Sequence, residues 1–268
     1  MTGNDIPPIG FGTSLLGDNA YQAIVTALEA GYRHIDTAQT YDSEALIGKA
    51  LRETGTRRED VFLTTKLADK NLADGVFMPS LENSLVALGT DHVDLLLIHW
   101  PSHQDAVPME TYMASLAAAK ARGWARMIGV SNFPTAYLQR AIDILGPGEL
   151  VNNQVELHPY LQNRTLRDYC GGHGIKVTAY MPLGKGKVLS DPVIGAIAER
   201  NSATPAIITL AWMLQLGIIV IPASANPAHI RANLTARDVI LSDEDMAAIA
   251  ALDRGERMID PPKAPAWD

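Results

Sequence analysis

One short stretch of the sequence combines side chains that could exchange protons inside a folded protein. Asp36 and Tyr41 lie in HIDTAQTYDSE, residues 34–44, which follows a helical pattern that ends at Gly31. Asp36 is predicted to end a short strand, and Tyr41 to lie on the loop after it. A hydrogen-bonded aspartate and a packing tyrosine would explain the pair without any function. Acidic and phenolic groups held together in a core also fit acid–base chemistry.

The positions of these groups depend on an alternation of strands and helices along the chain. Apolar, β-branched runs alternate with segments whose apolar residues recur every three or four positions. Residues 9–16, which are apolar and Gly-rich, are predicted to form a short hairpin or a lid over one end of the fold. Strands are predicted at 34–36, 61–66, 93–100, 127–132, 151–157, 176–183 and 218–221, with a short last strand near Thr235. Helices are predicted between them, at 20–31, 43–54, 78–89, 112–122, 136–145, 166–172, 192–200, 205–215, 227–233 and 242–252.

About eight strand–helix units in 268 residues predict an α/β fold, a single-domain (β/α)8 TIM barrel that spans residues 1–268. The active site is expected at the carboxyl ends of its strands. An open doubly wound sheet is the alternative, but it would normally carry G-x-G-x-x-G after its first strand, and GFG at residues 10–12 lacks the third glycine. The Pro-rich tail, residues 257–268, is predicted to be irregular.

Composition narrows the classes of partner and compartment. The formal net charge is −8, which argues against nucleic acid as the main partner, since phosphate binding needs basic patches. Cys170 is the only cysteine, so the chain can form no internal disulfide, and a reducing, cytoplasmic setting fits best. The N-terminus has no signal-peptide pattern, and no run of 18 or more apolar residues predicts a membrane span. No metal site is predicted.

Polar residues recur where the predicted strands end. They are Asp36, Lys66, His99, Ser131, Asn132, Gln154, Tyr180 and Ser224. In a barrel these strand ends meet on the face that carries chemistry. One such residue is weak evidence, but residues from seven successive strands predict a pocket.

These residues lie in sequence motifs that resemble those of the aldo-keto reductases, a family of NAD(P)H-dependent barrel enzymes that reduce aldehydes and ketones. The resemblance covers nearly the whole chain. It rests on GYRHIDTAQTYDSEALIGKAL, FLTTKL, LLLIHWP, IGVSNF, NQVELHPY, MPLGKGK and the IPAS and IRANL words. The compact loops most resemble the bacterial branch that includes 2,5-diketo-gluconate reductases.

The resemblance implies four catalytic residues, Asp36, Tyr41, Lys66 and His99. Tyr41 would donate a proton to the carbonyl oxygen, and the Lys66 cation beside it would favour the phenolate. Asp36 would hold Lys66 in place, while His99 would orient the carbonyl oxygen. A structural Asp–Lys ion pair, a core histidine and a packing tyrosine are the alternatives without function.

The resemblance also implies a cofactor site for NADP(H). Ser131, Asn132 and Gln154 would bind the nicotinamide carboxamide, and Tyr180 would stack on the nicotinamide ring. Ser224 would reach the 2′-phosphate and Asn233 the adenine. The further cofactor residues implied are Thr13, Met181, Leu183, Gly184, Lys185, Gly186, Lys187, Ile221, Ala223 and His229, of which residues 183–187 would wrap the pyrophosphate.

Departures from the family pattern bear on the choice of cofactor. Ala223 replaces the usual Lys of IPKS, His229 replaces an Arg, and Ala232 replaces a Glu. Two fixed cations for a 2′-phosphate are therefore missing, so we expect a weakened preference for NADPH and usable NADH. His229 could still stack on adenine and assist a phosphate when protonated.

The substrate side is less clearly encoded. Trp100 is expected to form one wall, and Ser14 and Ala68 stand where the family often carries tryptophan, which predicts a more open or less apolar pocket. The expected partner is a small carbonyl or alcohol, and the expected assembly a monomer. Two other functions are possible: a nucleotide-binding regulatory barrel subunit, and a lyase or isomerase that uses Lys66 as a Schiff base.

Overall fold

Eight parallel strands form one curled sheet in a computed structural model that describes residues 5–268. The strands follow one another across the sheet in chain order, and every neighbouring pair is parallel. This arrangement is consistent with a (β/α)8 barrel. The strands are β1 (Phe11–Gly12), β2 (His34–Asp36), β3 (Phe62–Leu67), β4 (Val93–Ile98), β5 (Ala125–Ser131), β6 (Leu150–Glu156), β7 (Lys176–Tyr180) and β8 (Ile219–Val220).

The N-terminal run corrects two expectations. Residues 9–16 are not a hairpin or lid, because Phe11–Gly12 pairs in parallel with β2 inside the sheet. The strand expected near Thr235 is also wrong, since Leu234–Asp238 forms a turn of 3₁₀ helix. The strand that completes the set of eight is therefore β1, from the start of the chain. Glycine permits it: a Cβ on Gly12 would lie 2.7 Å from the Ile221 carbonyl oxygen.

Hydrogen bonds also join the segments that carry the first and last strands. The Gly10 amide donates to the Val220 carbonyl at 2.8 Å, and the Val220 amide donates to the Pro8 carbonyl at 2.9 Å. Farther along, the Gly12 amide donates to the Pro222 carbonyl at 3.1 Å. The two ends of the sheet therefore lie side by side in the described part of the chain.

Helices follow the strands, and their ends are capped by residues typical of helix termini. The first helix stops at Gly31 in a left-handed conformation, which lets its last carbonyls be capped. The Asp191 and Thr204 side chains cap the starts of two helices that have proline in the first turn. The helices are α1 (Ala20–Ala30), α2 (Glu44–Glu53), α3 (Phe77–Leu88), α4 (Met109–Ala121), α5 (Thr135–Leu145), α6 (Arg164–Gly172), α7 (Pro192–Arg200), α8 (Pro205–Gln215), α9 (Pro227–Asn233) and α10 (Asp243–Ala250).

The core lies between the strands and the helices. Strand β4 is buried along its whole length, as its near-continuous apolar run predicts. Trp212 and Cys170 are buried in the same core, which agrees with a packing role for both. Among the described residues, none of the helices is long and apolar enough to cross a membrane.

The C-terminal strap, residues 254–268, contains no helix or strand but is not detached from the fold. The Trp267 ring packs edge-on against Trp100, with ring centroids 6.1 Å apart. The Lys263 ammonium lies 2.8 Å from the Asp69 carboxylate. These contacts place the strap at the same end of the sheet as His99, the neighbour of Trp100.

Candidate active site

A buried ion pair forms the base of the site. Lys66 in β3 approaches Asp36 at the end of β2, with Nζ 2.5 Å from Oδ1, and both side chains are almost fully buried. Lys66 also donates to the Thr37 carbonyl at 2.8 Å, and Gln154 donates to the other Asp36 oxygen at 2.7 Å. Parallel strands bring these groups together because their carboxyl ends meet at one edge.

The groups around Lys66 keep its side chain protonated. Burial by itself lowers the pKa of Lys66, but attraction to Asp36 and Tyr41 outweighs burial and holds that pKa above its ordinary value. The Lys66 ammonium lies 4.9 Å from the centroid of the Tyr41 ring. The site therefore presents a fixed positive charge beneath a phenol.

Tyr41 and His99 face each other across the same space. The Tyr41 hydroxyl lies 3.4 Å from His99 Nε2, and the rings meet edge to face with centroids 5.6 Å apart. Burial lowers the pKa of His99 to about 3, helped by repulsion from Lys66. His99 is therefore a neutral imidazole near pH 7, with one ring nitrogen able to donate a hydrogen bond.

A cavity of about 580 Å³ opens above this cluster. That volume lies within the usual range for a small-molecule or cofactor site. It brings together most of the residues that the sequence placed in a site. The lining includes Asp36, Tyr41, His99, Trp100, Thr13, Ser14, Ser131, Asn132, Gln154, Tyr180, Met181, Leu183, Lys185, Gly186, Ile221, Ala223 and Ser224.

The polar wall of the cavity is ordered by hydrogen bonds between its own members. Ser131 donates to the Gln154 carbonyl at 2.7 Å, and the Asn132 amide donates to the His99 carbonyl at 3.0 Å. The Tyr180 hydroxyl donates to Asn132 Oδ1 at 2.8 Å. Asn132 has a left-handed backbone with φ of 63°, a conformation that asparagine tolerates better than most residues. These contacts fix the side chains before any ligand binds.

The segment after β7 has an irregular backbone with several left-handed residues. Met181, Lys185 and Gly186 have positive φ values of 50°, 51° and 86°. Lys185 and Gly186 line the cavity, whereas Lys187 turns away and pairs with Glu256 of the strap at 2.5 Å. One lysine of the pair therefore faces the cavity and the other fastens the loop.

Six of the predicted residues do not line the cavity. Lys66 lies behind Asp36, Gly184 is buried, and Lys187 is exposed. His229 is exposed on α9, and Asn233 is buried at the end of that helix. The sixth, Ala68, is fully buried, and its backbone amide donates a hydrogen bond to Gln39 Oε1 at 2.9 Å.

The structure adds lining residues that the sequence pattern did not mark. Leu15, which is 95% exposed and has φ of 60°, lies at the mouth of the cavity together with Leu189. Ile259 reaches the cavity from the strap. Leu15 and Leu189 lie close in sequence to the GTS and LGKGK motifs, which could have identified both leucines as lining residues. Nothing in the sequence pattern marks Ile259, since the strap has no periodicity.

The fold and the polar cluster agree with what the chain is similar to. Residues 8–254 match the model of the aldo/keto reductase family. The chain is 48% identical to methylglyoxal reductase DkgB of Salmonella typhi over 98% of this chain and 99% of that relative. It is 42% identical to an aldo-keto reductase of Mycolicibacterium smegmatis, over 96% and 93%.

A solved structure extends the likeness to three dimensions. The crystal structure of a protein provisionally assigned as a 2,5-diketo-D-gluconic acid reductase B superposes with a TM-score of 0.94, at 38% identity, over 99% of this chain and 95% of that one. The chain therefore belongs to the aldo/keto reductase family. It is an oxidoreductase that reduces carbonyl groups with a nicotinamide dinucleotide. The relatives give no support to a regulatory subunit.

Proposed function

We propose that the chain reduces aldehydes and ketones to alcohols with Tyr41 as the proton donor. The observation that carries the proposal is the arrangement at the base of the cavity. There the Tyr41 hydroxyl lies 3.4 Å from a neutral His99, above the buried Lys66–Asp36 pair. A proton donor, a hydrogen-bond donor and a fixed cation thus converge where a carbonyl oxygen could bind.

Each residue then has one role. NAD(P)H supplies a hydride to the carbonyl carbon when it is bound. Tyr41 gives its proton to the carbonyl oxygen, and the phenolate left behind is stabilised by the Lys66 cation. Asp36 holds the ammonium through its contact of 2.5 Å. Neutral His99 hydrogen-bonds the carbonyl oxygen and orients it toward Tyr41.

The cavity wall fits a dinucleotide. Ser131, Asn132 and Gln154 place amide and hydroxyl groups beside Tyr180, whose ring also lines the cavity. These four would hold the nicotinamide, and Thr13 and Met181 would border it. The loop of residues 183–187 would approach the pyrophosphate, because Lys185 and Gly186, which have positive φ values, line the cavity. Ile221, Ala223 and Ser224 would contact the adenosine end, with His229 and Asn233 farther out.

The adenosine end supports use of both NADPH and NADH. Ala223 lines the cavity without a charge, and His229 is exposed rather than packed against it. Neither provides the fixed cation that a 2′-phosphate favours. We therefore expect only a modest preference for NADPH.

The substrates are proposed to be small carbonyl compounds. The relatives named as a methylglyoxal reductase and a 2,5-diketo-D-gluconic acid reductase make dicarbonyl compounds the first to test. Trp100 would form one wall, and Ser14, which also lines the cavity, would leave more room than a larger side chain. Ala68 is proposed to shape the site only from behind, because it does not line the cavity.

The surroundings of the site support three broader proposals. The hydrogen bonds between the Gly10–Gly12 segment and residues 220–222 support a sheet closed into a (β/α)8 barrel, in a single domain. The enzyme is also proposed to be a monomer, which light scattering would test. The single cysteine fits work in the cytoplasm.

The deciding experiment compares wild type with Tyr41→Phe. Nucleotide binding is measured by fluorescence titration with NADPH and with NADH, and turnover on methylglyoxal and a panel of aldehydes and ketones. We expect Tyr41→Phe to bind nucleotide normally and to lose about 10²- to 10⁴-fold in kcat. Tyr169→Phe, whose hydroxyl contacts Gln139 on the surface, is the matched control and should keep full activity.

Two results would contradict the proposal. Nucleotide binding without turnover of any carbonyl would favour a regulatory protein, and reductive trapping of Lys66 by a carbonyl substrate would favour Schiff-base chemistry. A kcat/KM ratio for NADPH over NADH above about a thousand, equivalent to about 4 kcal/mol, would contradict the reasoning on Ala223 and His229 alone.

A further inference from the structure

A buried carboxylate outside the catalytic cluster holds the C-terminal strap in place. Glu156 ends strand β6, and its side chain is fully buried. Its Oε1 accepts the Met258 amide at 2.7 Å, and its Oε2 accepts the Ile259 amide at 2.8 Å. His158 Nε2 lies 3.0 Å from Oε1. Two consecutive backbone amides and an imidazole thus meet one carboxylate.

These contacts require an acceptor at both oxygens. A carboxylate accepts at either oxygen, whereas a glutamine side chain would turn an NH₂ group toward one of the two backbone amides. Burial by itself raises the pKa of Glu156, but the hydrogen bonds from His158, Met258 and Ile259 outweigh burial and hold that pKa below its ordinary value. The carboxylate is therefore charged at neutral pH.

Two ion pairs that also fasten the strap are more exposed. Lys187 and Glu256 meet with 57% and 26% of their side chains exposed, and Lys263 and Asp69 with 39% and 28%. Exposed ion pairs of this kind contribute little, because water screens them and ordering long side chains costs entropy. Hydrogen bonds to a buried charged group are stronger. Glu156 is therefore a stronger anchor than either ion pair.

The anchored residues lie next to the site. Ile259 lines the cavity, and the amide of the same residue donates to Glu156. Met258 packs beside Gly184, where an added Cβ would lie 3.3 Å from the methionine methyl. The anchor thus lies between the proposed substrate wall and the loop proposed to hold the pyrophosphate.

We propose that Glu156 is a positioning residue that pins Met258 and Ile259, so that Ile259 forms a wall of the substrate pocket and selects for carbonyl substrates with an apolar group. The role in substrate choice rests on the proposed reductase function. The anchoring itself does not, so the two can be tested separately.

Amide hydrogen exchange tests the anchor without any substrate. In Glu156→Gln, the amides of Met258 and Ile259 should exchange about tenfold faster or more, as expected when hydrogen bonds to a charged group are lost. Exchange in strands β3 and β4 should not change. Met258→Pro attacks the same contact from the strap side, without altering the core, and should speed exchange at Ile259 even if Glu156→Gln fails to fold.

Kinetics test the role in substrate choice. Glu156→Gln should raise KM for an aromatic aldehyde about tenfold, as expected for lost apolar contact, and should change KM for methylglyoxal and the nucleotide Kd less than about threefold. Ile259→Ala should give the same split with the anchor intact. Because both variants act through one wall, the double variant should be no worse than the more impaired single variant.

The outcomes separate the two proposals. Unchanged exchange at Met258 and Ile259 would overturn the anchor. Faster exchange with additive effects of Glu156→Gln and Ile259→Ala would overturn the role in substrate choice. If wild type turned over no carbonyl compound, the proposed function would fail, while faster exchange in Glu156→Gln would still support the anchor.

Discussion

The protonation of His99 gives a quantitative test of the site. Its pKa is lowered from 6.5 to about 3, first by burial and then by repulsion from Lys66. Because the folded value lies below the unfolded value, the unfolded chain binds a proton between these limits that folded His99 does not bind. The stability contributed by neutral His99 is therefore complete above pH 6.5 and falls as the pH drops toward the folded pKa.

The size of the effect follows from the shift. Each pH unit within the window costs about 1.4 kcal/mol of free energy of unfolding. Lowering the pH from about 7.5 to about 4.5 crosses about two units of that window, so His99 alone should cost about 2.7 kcal/mol. His34 is also buried, and burial lowers its pKa, so it adds a loss of the same sign.

A variant isolates His99 from every other titrating group. The free energy of unfolding is measured by urea titration at both pH values for wild type and His99→Gln. The variant should lose about 2.7 kcal/mol less than wild type between them, since the losses from His34 and the carboxylates cancel in the comparison. His103→Gln, a change at an exposed histidine, controls for the loss of an imidazole and should behave as wild type.

Equal losses in wild type and His99→Gln would refute the reasoning. They would mean that folded His99 takes up its proton as readily as the unfolded chain does. An imidazolium would then face Tyr41 at mildly acidic pH, and the role of His99 as a neutral hydrogen-bond donor would need revision.

Two further predictions concern the frame that holds the cluster. Lys66→Met leaves Asp36 buried without its cation and should cost about 3–5 kcal/mol of unfolding free energy in urea titrations. Lys120→Met breaks a half-exposed ion pair with Glu149 and should cost at most about 1 kcal/mol. Equal costs for the two variants would contradict the argument. Gly129→Ala would place a Cβ 2.5 Å from the Asn152 carbonyl oxygen and should cost about 1–3 kcal/mol. Gly172→Ala, in a helix with open space around it, is the control and should stabilise the chain slightly.

Long buried strands were predictable because their side chains form recognisable apolar patterns in the sequence. The run VDLLLI of β4 is apolar except for Asp94, as is typical of a strand covered on both faces, and the structure has a strand there. Polar residues such as Asp36 and His99 interrupt that character where the strands end, which is why the sequence could place them on one face.

Features made by the backbone were not predictable in the same way. Strand β1 has two residues, too few for any periodic pattern, and it exists because glycines allow close approach to neighbouring strands. The strap is fixed through the amides of Met258 and Ile259, and a backbone amide is present whatever the side chain. The contribution of Ile259 to the pocket therefore left no signature in the sequence.

The donors of Lys66 indicate why a buried ion pair stands at the base of the site. An ammonium group has three N–H donors. One binds Asp36 and one binds the Thr37 carbonyl, while the Tyr41 ring lies 4.9 Å away. Well-packed apolar residues often stabilise a core as well as a buried ion pair does. Stability alone therefore does not account for this pair. A catalytic role does, because the pair holds the Lys66 ammonium in place and leaves its third N–H donor for a Tyr41 phenolate.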